Sequence, residues 1–268
     1  MEAKVVVITG GTSGIGLACA KKFFAEGFNV VITGRDDNRL AEALQSIDHK
    51  SNKAIAIKAD VSVEEDCRMV IEKTIAQFGR IDVLINNAGI SMRALFEDLD
   101  LNVIRKVMDT NFWGAVYCTK YALPSILANK GSVVGISSIA GKKGLPGRTG
   151  YSSSKFALEG FLETLRTENI KKDLHVLVAC PGFTASRIRQ TALAADGNVQ
   201  GESPRDEQKM MSAEEVANRI FGAVQKRKRD LVLTFNGKLT VFLNKIIPGW
   251  LDKIVYNHMA KEPNSPFK

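Results

Sequence analysis

Residues 4–16 read K-V-V-V-I-T-G-G-T-S-G-I-G. A short β-branched run of this kind suits a strand buried on both faces. The glycines that follow, Gly10, Gly14 and Gly16, stand where a strand would turn into a helix. Glycine has a physical reason to be there. A tight turn must present backbone N–H groups, and a side chain would block a pyrophosphate from approaching the helix N-terminus. Glycines alone could mark an ordinary turn, but their place after the first strand and ahead of a helix is what a dinucleotide-binding turn requires.

Working outward, the same alternation repeats. Residues 29–33 (NVVIT), 54–58 (AIAIK), 82–85 (DVLI), 132–136 (SVVGI), 175–179 (HVLVA) and 231–235 (LVLTF) read as six more strands. Amphipathic stretches such as 64–78 and 155–170 lie between them. Strand alternating with helix predicts an α/β fold: a Rossmann-like, doubly wound, parallel seven-stranded sheet with helices on both faces. One domain would span residues 1–235, followed by a helical extension over 236–268. Two segments break the rhythm. Residues 187–210 are polar and rich in Gly, Asp, Ser and Pro, which suits either a substrate loop or disorder. Helix resumes at Ser212, where S-A-E-E offers a capping box through Ser212 and Glu215.

The 268 residues are 45% hydrophobic and 25% charged, ordinary for a soluble domain. Cys19, Cys67, Cys118 and Cys180 lie far apart with no CxxC pair, which argues against a metal site and a disulfide framework. The first strand begins at residue 4, leaving no room for a signal peptide, and no apolar run approaches the roughly 20 residues of a membrane span. A cytoplasmic chain is expected. The net charge of +8 is uneven: residues 226–268 hold nine basic and three acidic side chains.

The second strand ends V-I-T-G-R-D. A carboxylate at this strand end holds the ribose of NAD, whereas space and an arginine suit the 2′-phosphate of NADP. Gly34 leaves the space and Arg35 supplies the cation, so NADP(H) is expected ahead of NAD(H). In the alternative, Arg35 is a surface cation and Asp36 or Asp37 serves the ribose. Further on, Y-S-S-S-K puts Tyr151 and Lys155 at i and i+4 on one helix face. A free phenol has a pKa of about 10, and a neighbouring ammonium would lower it toward the range useful for general catalysis.

The ordered set TGGTSGIG, Asp60, NNAG (residues 86–89), Asn111, Ser138, Tyr151-xxx-Lys155 and PGF (181–183) resembles the short-chain dehydrogenase/reductase family. Matching motifs run from residue 9 to 186, and the YxxxK element thirteen residues after the serine makes the likeness specific. The resemblance implies a hydride-transfer enzyme acting on a carbonyl or secondary alcohol. Tyr151 would be the general acid or base, and Ser138 would hold the substrate oxygen. Lys155 would hold the nicotinamide ribose and tune Tyr151, and Asn111 would anchor a water in a proton relay. The cofactor groove would comprise Gly10, Thr12, Ser13, Gly14, Ile15, Gly16, Arg35, Asp60, Val61, Asn87, Ala88, Gly89, Pro181, Gly182 and Thr184, with Tyr151 and Lys155 reaching it. The family's PGxxxT becomes P-G-F-T-A-S here, ending on Ser186, so Thr184 and Ser186 compete for the carboxamide. A homodimer or homotetramer is implied, with a small-molecule carbonyl or alcohol substrate and neither metal nor nucleic acid. His49, His175 and His258 match no catalytic position and read as structural or exposed.

The tail carries a further pattern. Leu239, Phe242, Leu243, Ile246 and Ile247 form one apolar helical stripe. Pro248-Gly249 ends it, and Trp250, Leu251, Ile254, Val255 and Met259 begin another, with Lys245 and Lys253 among them. The stripes would pack on the domain or a partner subunit, or else residues 238–259 would lie in a membrane surface. The second case resembles, more loosely, ketosphinganine and hydroxysteroid reductases acting on lipid-like ketones. A protein that binds NADP without catalysis is the remaining reading, disfavoured by the complete set Asn111, Ser138, Tyr151 and Lys155.

Overall fold

A computed structural model describes residues 3–48, 51–184, 186–201, 203 and 210–267. His49, Ala185, Lys268 and residues 202 and 204–209 of the polar segment lie outside the described residues. The seven strands are β1 (Val5–Ile8), β2 (Asn29–Gly34), β3 (Ala54–Lys58), β4 (Val83–Asn86), β5 (Ser132–Ile136), β6 (His175–Cys180) and β7 (Asp230–Val232). They form one parallel sheet in the order β3-β2-β1-β4-β5-β6-β7. The order reverses between β1 and β4, which opens a crevice beyond their carboxyl ends.

Period-two alternation sorts the strand side chains between two cores. Val6, Ile8, Val30, Ile32, Val83 and Ile85 face the helices α1 (Gly14–Ala25), α2 (Asp37–Ile47) and α7 (Ala213–Gln225). Val7, Val31, Leu84, Val133 and Val176 face α3 (Glu64–Phe78), α5 (Gly114–Ala128) and α6 (Thr149–Glu168). Both faces are covered, which is why the strands read as unbroken apolar runs. Phe23, Phe28 and Phe221 close the first core edge to face, with centroids 5.1 Å apart for Phe23–Phe28 and for Phe23–Phe221. At α7, the Ser212 side chain accepts from the Glu215 N–H, as the capping box requires. Buried His175 is structural: Nδ1 meets Ser132 Oγ and Nε2 meets the Lys228 carbonyl, both at 2.9 Å.

Two expectations are corrected. The seventh strand does not run over 231–235; it ends at Val232, because Thr234 leaves the sheet to cap α8 (Phe235–Ile246), accepting from the Gly237 N–H at 3.0 Å. The helix expected over 155–170 begins a turn and a half earlier, so Tyr151 and Lys155 both lie inside α6. The described part of 187–210 is also tied to the protein. Leu193 exchanges backbone hydrogen bonds with Ser91 and Arg93 at 2.9 and 2.8 Å, and Asp100 N–H bonds Ala195 O. These bonds satisfy backbone groups of the described residues.

The extension is helical, with Pro248 at the first turn of α9 (Pro248–Ala260), where its missing N–H costs nothing. Leu251 and Met259 are buried, while Phe242, Ile246 and Trp250 are about 60% exposed. The first stripe therefore faces outward and the second is divided. No helix among the described residues is long and apolar enough to cross a membrane.

Candidate active site

The crevice at the sheet's switch point is lined by the expected turn. Gly10 and Gly14 hold φ of +64° and +52°, a left-handed conformation that favours glycine. A Cβ on Gly16 would lie 2.3 Å from the Gly10 carbonyl oxygen. The NNAG segment is fastened to this turn. Asn87 Nδ2 donates to Thr9 O and Gly10 O at 2.9 and 3.0 Å, and the Asn87 and Ala88 N–H groups both donate to Thr9 Oγ1. Ser13, at the N-cap of α1, makes no side-chain cap to the helix. An uncapped helix start beside a glycine turn fits a phosphate, so the residues present suit a dinucleotide.

At the adenosine side, Arg35 NH1 lies 3.7 Å from Asp60 Oδ2 and its side chain is well exposed. Asp36 caps α2 by accepting from Arg39 N–H at 2.9 Å, and Asp37 pairs with Lys58 at 2.5 Å. Both alternative ribose carboxylates are thus engaged elsewhere. Gly34 has a further reason to be glycine: a Cβ there would stand 2.7 Å from Thr12 Cγ2. Buried Val61 packs on Gly114. Across the crevice, Gly182 lies under Thr234, and Thr184 is buried with its hydroxyl donating to Gly182 O at 3.2 Å. Ser186 approaches Gly14, its Cβ 3.4 Å from where a glycine Cβ would stand.

The four candidate catalytic side chains come from three segments, with Tyr151 and Lys155 sharing α6. Ser138 follows β5, its Oγ accepting from Ala140 N–H at 3.2 Å, and its hydroxyl favours the Tyr151 phenolate. Lys155 Nζ donates to Ile136 O at 2.9 Å and lies 5.7 Å from the centroid of the Tyr151 ring. Asn111 sits in a π-helical turn, Asp109–Trp113, between α4 (Leu101–Met108) and α5; such turns gather at functional sites. Its amide accepts from Ile90 N–H and donates to Ile90 O and Ser154 Oγ, at 2.8, 2.9 and 2.9 Å. Gly89 lies between these groups: a Cβ there would be 3.2 Å from Asn111 Oδ1 and 3.5 Å from Lys155 Nζ.

Electrostatics depart from the expectation at Tyr151. Its phenol is raised above the ordinary value, because burial disfavours the phenolate more than the Ser138 hydrogen bond and the Arg148 and Arg189 charges favour it. Lys155 yields instead: burial brings its ammonium down to about 8, against the opposing pull of Cys180 and Glu159. The sequence reading missed Ser154, Arg148, Arg189 and Glu159. Glu159 was within reach of the same i, i+4 rule that paired Tyr151 with Lys155; the arginines lie in loops where no period announces them.

The family model described as short chain dehydrogenase matches residues 4–197. The mouse protein named Dehydrogenase/reductase SDR family member 7B is 37% identical over 267 residues, covering 97% of this chain and 83% of that protein. The Arabidopsis thaliana 11-beta-hydroxysteroid dehydrogenase 1A is 39% identical over 192 residues, 71% of this chain and 55% of that protein. In fold, the chain is similar to a short chain dehydrogenase/reductase from Burkholderia phymatum solved with NAD, with a TM-score of 0.82 at 23% identity, covering 98% of each chain.

Proposed function

The chain belongs to the short-chain dehydrogenase family and is an oxidoreductase; from that premise we propose that it moves a hydride between NADP(H) and a carbonyl or secondary-alcohol carbon, with Tyr151 as general acid and base. The observation that carries this reading is Lys155 Nζ 5.7 Å from the Tyr151 ring centroid, with the Ser138 hydroxyl favouring the phenolate. When bound, the nicotinamide supplies or takes the hydride. The protein's part is to hold the substrate oxygen between Ser138 and Tyr151. In reduction, Tyr151 gives its proton to that oxygen as negative charge develops on it, and in oxidation it takes the proton back. Lys155, charged below about pH 8, stabilises the tyrosinate left behind. Asn111 fixes the backbone of Ile90 against Ser154 of the helix that carries Lys155.

The preference for NADP rests on Arg35, since Asp36 and Asp37 are engaged with Arg39 and Lys58. A hydrogen bond to a charged group contributes about 1.5–3 kcal/mol. Arg35→Ala is therefore expected to raise KM for NADPH about tenfold or more while leaving KM for NADH unchanged. The measurement is nucleotide oxidation at 340 nm over a panel of β-ketoacyl, steroid and sphingoid ketones; equal effects on both nucleotides would exclude the 2′-phosphate contact.

A second reading, favoured by the exposed stripe, makes the protein a membrane-surface reductase of lipid-like ketones. Phe242, Ile246 and Trp250 are exposed on the extension near Lys245 and Lys253, a combination that suits an anionic lipid interface. The double variant Phe242→Ser/Trp250→Ser is expected to lower co-sedimentation with anionic vesicles at least several-fold. Equal partitioning of variant and wild type would remove this reading.

A further inference from the structure

Beneath Tyr151 and Lys155 lies a carboxylate that the reaction outlined above does not use. Glu159 follows Lys155 by one turn of α6 and is 9% exposed. Ser137 Oγ donates to its Oε1 at 2.5 Å, and the Cys180 thiol approaches the same atom at 3.5 Å. Lys142 Nζ meets its Oε2 at 2.6 Å. Three separate segments therefore end on this one side chain: the carboxyl end of β5, the carboxyl end of β6 and the short turn after Ser138. Gly141 closes the cluster, for a Cβ there would be 2.5 Å from both Glu159 Oε1 and Ser137 Oγ and 3.1 Å from Lys155 Cβ.

A carboxylate this deep needs a reason, because burying a charge costs several kcal/mol before any partner is counted. Ser137 is sandwiched between the two residues that meet the chemistry directly. Ile136 accepts the Lys155 hydrogen bond through its carbonyl, and the Ser138 hydroxyl favours the Tyr151 phenolate. Fixing Ser137 to α6 thus fixes both neighbours relative to the helix that carries Tyr151 and Lys155. We propose that Glu159 is a positioning residue for hydride transfer: its carboxylate locks the Ser138 segment onto α6 and supplies the negative charge that faces the Lys155 ammonium from within the protein.

The surrounding charges set the sign of the effect. Lys142 faces Glu159 from the turn after Ser138, with Asp230 of β7 4.0 Å beyond it. Cys180 faces it from β6 and stays a neutral thiol, since burial pushes it up to about 12. Lys155 faces it from α6 itself, and the charges of Arg148 and Arg189 act on Tyr151. Burial works against the Lys142 charge, but Glu159 overcomes it and holds that ammonium above the ordinary lysine value. Lys142 in turn offsets part of the field that Glu159 exerts on Lys155. Removing Glu159 and removing Lys142 should therefore move Lys155 in opposite directions.

The proposal rests on the hydride-transfer reading for its meaning, so its test reads Lys155 without turnover. The Lys155 ammonium is titrated by lysine 15N NMR in the full chain, assigned with Lys155→Arg. Glu159→Gln keeps an acceptor for Ser137 and should lower the midpoint by about one pH unit, while Lys142→Met should raise it. If Glu159→Gln fails to fold, Lys142→Met alone decides. Unchanged midpoints in folded variants would overturn the proposal. Shifts in the expected directions in a protein that turns over no ketone would sustain it and sink the hydride reading instead. Where turnover is found, the alkaline limb of the kcat profile should follow the same two directions.

Discussion

Tyr151→Phe is expected to lower kcat for ketone reduction by about 10³-fold, in the range that general acid–base catalysis contributes, with NADPH affinity held within about threefold. The substitution removes one oxygen and keeps the ring over which Lys155 sits. Ser138 and the glycine turn are untouched, so binding and chemistry separate cleanly. Steady-state rates beside NADPH fluorescence titration read the two. The pH dependence follows from the same burial. The Tyr151 phenol stays protonated beyond its ordinary value, so the proton needed in reduction is present at neutral pH. Lys155 is charged below about 8 and loses its proton above it. Reduction should be level at neutral pH and fall as pH rises through about 8, and Lys155→Met should abolish that alkaline step. Near-wild-type turnover in Tyr151→Phe would remove Tyr151 from the mechanism.

Gly16→Ala should be the most damaging small substitution in the cofactor crevice. The new methyl would meet the Gly10 carbonyl oxygen at 2.3 Å and Asn87 Nδ2 at 2.5 Å. Neither can move cheaply, because one is backbone and the other already bridges Thr9 O and Gly10 O. Helix α1 must then shift away from the ends of β1 and β4. Overpacking of this kind costs about 1–3 kcal/mol, and the loss of a fitted phosphate cradle should weaken NADPH binding by about tenfold to a hundredfold. Gly160→Ala is the matched control: a Cβ there meets nothing within 4 Å, and the change favours the helix by about 0.5–1 kcal/mol. Denaturant unfolding and isothermal titration of both variants give the comparison. Equal behaviour would mean the turn tolerates a side chain and is no phosphate cradle.

Much of this fold was legible in the sequence because both faces of the sheet are covered. Runs such as VVVI and NVVIT have no polar alternation to confuse the period, and the helices between them fill the only remaining space. What misled was local. LVLTF looks like a strand to its end, yet Thr234 is a better helix cap than strand residue in this setting. The helical spacing of Tyr151 and Lys155 was legible in the sequence, whereas Asn111 sits in a π-helical turn that no residue pattern advertised. The direction of the Tyr151 shift was not legible. Charge proximity could be read from i and i+4, but desolvation depends on how deeply the phenol is enclosed, and only packing supplies that. The outward face of α8 likewise follows from docking geometry: Leu251 of α9 is taken inward while Phe242 is left outside.

The most direct test of hydride transfer is isotopic. NADPH deuterated at the nicotinamide C4 is incubated with the wild-type protein and the ketone panel, and the alcohol products are examined by mass spectrometry and NMR. One deuterium is expected on the carbinol carbon of a product, retained through purification and absent with Tyr151→Phe. Tight NADPH binding with no deuterium transferred to any ketone of the panel would contradict hydride transfer.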